Sequence, residues 1–191
     1  MFTWRKNVSA NSHHAKLRAQ LEAIPISEPP PPWKLVYNST IGGLLAVGYA
    51  TSSDDLLVVS SQGRGLFDCL NGERIARDDA DDYENPDSSE MTAPGIGKLA
   101  ACVISVAGIH GGGLANGSAD GWSLDVVQLP WPIHVIFLTP GFKHFLDASA
   151  KVTKLCTDEP CEFRAAGFSP TGKSFVIATS GELTIYSRVS A

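Results

Sequence analysis

Gly167-Phe-Ser-Pro-Thr-Gly172-Lys173-Ser174-Phe-Val-Ile-Ala-Thr-Ser-Gly181-Glu-Leu-Thr-Ile-Tyr186 is the stretch that decides the fold. Its first eight residues fit the phosphate-loop pattern G-x-x-x-x-G-K-[ST] letter for letter. A working loop of that kind must open a helix, because the loop amides and the helix N-terminus together hold the phosphates. Here Ser174 is followed by the aromatic and β-branched run Phe175 to Ala178, and after Gly181 the segment Leu183 to Tyr186 alternates as a strand does. The motif therefore reads as a turn between strands and binds no nucleotide. Pro170 presets the turn's φ, Gly172 supplies a backbone angle that other residues resist, and Lys173 faces water.

Strand, Ser-Pro-x-Gly-Lys turn, strand and strand is also the order found in β-propeller blades, and residues 164–188 resemble one blade hairpin of the WD-repeat kind. The resemblance implies a small propeller-like domain built of repeats. Internal echoes point the same way. Leu57 to Asp68 aligns without a gap on Phe175 to Tyr186, which places Gly63 on Gly181 and predicts a positive φ at both. Phe137 to Phe145 is a looser echo of Phe168 to Phe175, and Leu99 to Val106 with Trp122 to Leu129 reads as a further strand pair. Residues 33–191 hold roughly four repeats at the 40 to 45 residues of a four-stranded blade. The expected fold is mainly β, either a small propeller or a twisted stack of several sheets, with a short N-terminal helix.

That helix is read at Ser12 to Ile24, where Leu17, Leu21 and Ile24 fall at i, i+4 and i+7. Its length is marginal for an isolated helix, so Leu17 and Leu21 are expected to pack on the sheet. Pro25 to Pro32, with five prolines in eight residues, should run extended as a stiff strap. The division is thus residues 1–32, helix and strap, and residues 33–191, the β-repeat domain.

Asp78 to Glu90 holds seven of the chain's twenty acids and no base. The net charge of −5 is a local property, since the remainder is slightly basic. Clustered carboxylates repel one another, so the segment is a solvated insertion, a calcium site or a surface shaped for a basic partner. On the last reading the partner-binding residues are Asp78, Asp79, Asp81, Asp82, Tyr83, Glu84, Asp87 and Glu90, with Tyr83 as the anchor. The glycine and terminal glutamate of a helix-flanked calcium loop are absent at the required spacing.

Other chemistry finds little footing. Gly108-Ile-His110-Gly-Gly-Gly113 is similar to the oxyanion loop of esterases, but no G-x-S-x-G nucleophile turn accompanies it, and the run reads as a flexible connection from Gly108 to Gly121. A hydrolase or lyase site near His110 and His134 remains the enzymatic alternative. Cys69 and Cys102 are placed inside strands as small apolar residues, and Cys156 and Cys161 lack a second Cys or His pair for zinc. No cofactor or metal is expected. Basic residues are scattered and the pI is about 5.5, which argues against nucleic acid. No run of 18 apolar residues and no secretory apolar stretch is present, so a cytoplasmic protein is expected.

These features together suggest a non-enzymatic protein-binding module. Its overall character is similar to bacterial immunity proteins, which would make the partner a cationic toxin domain. A structural subunit docking through Leu17, Leu21 and Ile24 is a further alternative. For the motif itself the expected outcome is simple: Lys173→Ala leaves ATP affinity unchanged and moves stability by no more than about 0.5 kcal/mol, measured by titration and by urea unfolding.

Overall fold

The computed structural model describes residues 8–79, 91–129 and 132–188, with the helix backbone alone for residues 8–14. It is mainly β. Among the described residues one helix, α1 (Val8–Glu22), precedes fourteen strands: β1 (Trp33–Thr40), β2 (Leu44–Tyr49), β3 (Asp55–Ser60), β4 (Gly63–Asp68), β5 (Glu73–Asp78), β6 (Thr92–Pro94), β7 (Val103–Ser105), β8 (Ala107–Gly108), β9 (Ser123–Gln128), β10 (His134–Thr139), β11 (Thr153–Thr157), β12 (Phe163–Phe168), β13 (Ser174–Thr179) and β14 (Glu182–Arg188). They form four separate antiparallel sheets, ordered β5-β4-β3-β2-β8, β1-β14-β13-β12, β11-β10-β9 and β6-β7, and none closes on itself.

The pattern of buried side chains fixes how the sheets stack. Every residue of β13 is buried, so the middle of its sheet is covered on both sides. Val176, Ala178, Leu183 and Ile185 pack against Leu44, Val47, Leu56, Val58 and Phe67 of the β2–β5 sheet. Phe168, Phe175, Ile177 and Tyr186, on the opposite face, pack with Trp33 against Leu124, Ile136, Leu138 and Leu155 of the β9–β11 sheet. The β2–β5 sheet buries its far face, Leu57, Val59 and Leu66, under Ala93, Ile96 and Ile104 of the β6–β7 region. Val135 and Phe137 of β10 are covered on their far side by Leu17 and Leu21 of α1. The apolar clusters therefore run in a row, with α1 at one end and the two-stranded sheet at the other. Each fully buried Leu, Ile or Phe contributes about 1.5–3 kcal/mol, so this interleaving is the main source of stability.

Sheet edges are covered locally. β1 completes the sheet of β12, β13 and β14, with Trp33 opposite Arg188 and Thr40 opposite Glu182. Arg188 lies 4.6 Å over the Trp33 ring and forks onto both oxygens of Asp120 at 2.7 and 2.8 Å. The Arg188 hydrogen bonds hold the Asp120 carboxyl down at about 2. The free edge of β11 is met by the strap, where Ile26 bridges Lys154 and Ser27 N–H donates to the Lys154 carbonyl.

Several expectations need correction. The helix starts at Val8, one turn before Ser12, and stops at Glu22. The strap does not stay extended to Pro32, because a turn at Pro30 to Trp33, with a cis Pro31-Pro32 bond, redirects the chain into β1. Leu99 to Val106 does not pair with Trp122 to Leu129. Gly97–Leu99 is a 3-10 turn, β7 pairs with β6, and β9 pairs with β10. Cys102 is consequently exposed and outside any strand. The Phe137 to Phe145 echo makes no hairpin: residues 142–152 fold into successive turns, and Phe145 stacks on Phe137 at 5.7 Å.

Residues 108–121 are not a free connection either. A Cβ on Gly108 would lie 2.1 Å from the Leu45 carbonyl oxygen, and one on Gly167 would lie 2.4 Å from Leu114 Cβ, so these glycines permit close packing. Ala115 also bridges Phe168.

The glycines of the two aligned hairpins differ as well. Gly63 has φ +104 and stands opposite Ser60, whereas Gly181 has no positive φ and lies inside the turn between Thr179 and Glu182. The turns are offset by one residue in the gapless alignment. Because β3 and β13 are apolar on both faces, the residue pattern cannot reveal that one-residue slip. Gly63→Ala, whose Cβ would meet the Asp78 carbonyl at 2.0 Å in a strained φ, is expected to cost about 2–3 kcal/mol. Gly181→Ala, which meets only the Cys161 Sγ at 2.9 Å, should cost less than about 1 kcal/mol. Urea unfolding of both variants measures this, and equal losses would restore the equivalence of the two turns.

Candidate functional site

Of the eight acidic-segment residues singled out, Asp78 and Asp79 are described. Asp81, Asp82, Tyr83, Glu84, Asp87 and Glu90 lie outside the described residues. Asp78 ends β5 and pairs with Arg64, and Asp79 pairs with Arg77. The first two carboxylates of the run thus have counter-charges from the strands beside them, which the sequence did not suggest.

Those arginines belong to a groove of about 410 Å³ between β1 and the outer strands β4 and β5. Three local facts build it. A β-bulge at Ile75 sets Arg74 opposite Phe67 and Arg77 opposite Gly65, so two arginines three residues apart stand on one face. Gly65, which has no side chain, lies beside the Phe67 ring: a Cβ there would be 3.0 Å from it and 3.6 Å from Arg74 Cδ. On the other wall, Tyr37 of β1 meets Phe67 edge-on at 5.1 Å and closes the bottom of the gap between the sheets. Gly72, at φ +78, holds the β4–β5 turn against the Val36 carbonyl, where a Cβ would lie 2.3 Å away. The groove's width is therefore fixed by backbone.

The hydroxyls of the phosphate-loop pattern are engaged elsewhere. Ser174 and Thr171 hydroxyls donate to the two oxygens of buried Asp54 at 2.7 and 2.6 Å, and Ser174 N–H donates to the Ser169 hydroxyl. Tyr49 Oη lies 3.4 Å from Ser174 Oγ. Burial raises the Tyr49 hydroxyl well above its ordinary range, and likewise pushes the Cys69 thiol up. The serine that would face a metal–phosphate in a nucleotide loop serves a buried carboxylate instead.

His134 forms a second polar cluster. Its Nδ1 lies 2.8 Å from Asp158 Oδ2, its Nε2 lies 2.8 Å from Gln128 Nε2, and its ring stacks on Phe163 at 5.0 Å. Asp158 also accepts the backbone N–H groups of His134 and Phe163, so the carboxylate fastens β10 to β12. With both ring nitrogens engaged, His134 is placed as a structural tie. His110 is exposed in the Gly108–Gly111 turn. Cys156 and Cys161 line a smaller cleft of about 210 Å³ with Asp158 and Glu182, and burial pushes the Cys156 thiol up to about 12. Such a thiol is protonated and unreactive at neutral pH. Among the described residues, no group of three or more His, Cys, Asp or Glu could hold a metal ion.

No protein-family model, curated protein or solved structure matches this chain. The groove was invisible in the sequence because Arg74 and Arg77, at a spacing of three, fall on opposite faces of a regular strand, and only the bulge brings them together.

Proposed function

We propose that the protein is a non-enzymatic binding module that engages a cationic protein partner, in its most concrete form an immunity protein that neutralises a basic bacterial toxin. The observation that carries this reading is the acidic run, seven carboxylates in thirteen residues with no base among them, issuing from the end of edge strand β5. A rigid stack of sheets that presents its variable chemistry on a connecting segment is a common basis for recognition. Concentrated charge of one sign accelerates encounter with the opposite sign and discourages wrong partners.

The pairing of Asp78 with Arg64 and of Asp79 with Arg77 divides the run. These two acids hold the base of the segment to β4 and β5, while Asp81, Asp82, Tyr83, Glu84, Asp87 and Glu90 are assigned to the partner. Substituting Asp78 would disturb the strand end, so the test leaves it and Asp79 in place. The partner is captured from the source cells, identified, and its association followed at two salt concentrations. Asp81→Asn, Asp82→Asn and Asp87→Asn combined should slow association about tenfold at low salt and flatten the salt dependence, with the melting temperature unchanged. Equal on-rates for the variant and the unsubstituted protein would reduce the segment to a solvated insertion.

A further inference from the structure

The groove between β1 and β5 offers the reverse polarity to the acidic run, and that difference is informative. Arg74 and Arg77 project from one face, and among the described residues no carboxylate pairs with Arg74. Arg77 meets Asp79 in an ion pair exposed on both sides, 48% and 69%, which is worth little in water and leaves guanidinium donors available. Lys or Arg on an edge strand usually serves only to keep other strands away. Here, however, the two guanidiniums border a formed cavity with an apolar base, Phe67 and Val58, and an aromatic wall, Tyr37. The absent side chain at Gly65 keeps the cavity open beside Arg74. About 410 Å³ lies within the range of small-molecule sites.

We infer that this groove binds a small aromatic oxyanion, its carboxylate or phosphate held by Arg74 and Arg77 and its ring lodged against Tyr37 beside Gly65. Guanidinium is the side chain best fitted to such a group, because its planar fork matches two oxygens at once. The flat ring uses the slot that a Cβ at position 65 would narrow. This site stands apart from the partner reading. It uses the opposite charge and none of Asp81, Asp82, Tyr83, Glu84, Asp87 or Glu90.

Calorimetric titration of the full chain with phenyl phosphate, phenylacetate and benzyl alcohol tests it. At least one of the two anions should bind with Kd below about 1 mM, while benzyl alcohol should bind at least about tenfold more weakly. Binding of phosphate alone, or of carboxylate alone, assigns the headgroup. Arg74→Gln, at an exposed position where folding is not at risk, should weaken the anion about tenfold, and Arg74→Lys should restore it only in part. Gly65→Val should also weaken binding, whereas Lys173→Ala should leave it unchanged, which separates the groove from the phosphate-loop pattern. The inference is overturned if neither anion binds in the millimolar range, if benzyl alcohol binds equally well, or if Arg74→Gln has no effect.

Discussion

The carboxylate of Asp54, buried between two sheets, is the interaction on which the layout of the molecule depends. It sits in the turn before β3, yet its two oxygens are taken by Ser174 and Thr171 of the β12–β13 hairpin, more than a hundred residues away. Its own carbonyl accepts the Cys69 N–H at the end of β4. A buried carboxylate is costly unless it is hydrogen-bonded, so two hydroxyl donors placed on it at 2.6 to 2.7 Å make one relative position of the sheets far better than its neighbours. Apolar packing between sheets supplies most of the stability but is tolerant of sliding. The Asp54 cluster is not.

Asp158 has the same role on the other side. By accepting from His134 and from Phe163 it ties the β9–β11 sheet to the central one. The central sheet, apolar on both faces at β13, thus has a buried carboxylate clamp toward each of these neighbours. Both clamps leave the intervening space to Leu, Ile and Phe. The groove between β1 and β5 lies where the β2–β5 sheet and the central sheet diverge, beyond the reach of the Phe67–Tyr37 contact. Arg74 projects into it without a carboxylate partner among the described residues because packing there ends.

Much of this was legible in the residues. The strand character of Phe175 to Ala178, the turn at Pro170 to Lys173 and the docking of α1 through Leu17 and Leu21 all follow from periodicity and turn chemistry, and the structure has each. The sequence was silent where the outcome depends on register or on long-range approach. The slip between the Gly63 and Gly181 turns leaves no trace in strands that are apolar on both faces. The glycines of 108–121 read as a flexible link, because the backbones they approach are distant in sequence. The bulge at Ile75, which creates the arginine pair, involves no unusual residue. The acidic run was plain from composition, but the arginines that hold its first two acids were not.

In this chain a phosphate-loop pattern has been put to use as a fastening between sheets, with Ser174 serving Asp54. A double-mutant cycle on Asp54→Ala and Ser174→Ala, read by urea unfolding, measures that fastening directly. A coupling energy of about 1.5 kcal/mol or more, with the double variant less destabilised than the sum of the singles, is the predicted result. Losses that add to within about 0.3 kcal/mol would mean that the two side chains stabilise the protein independently, and would contradict the claim.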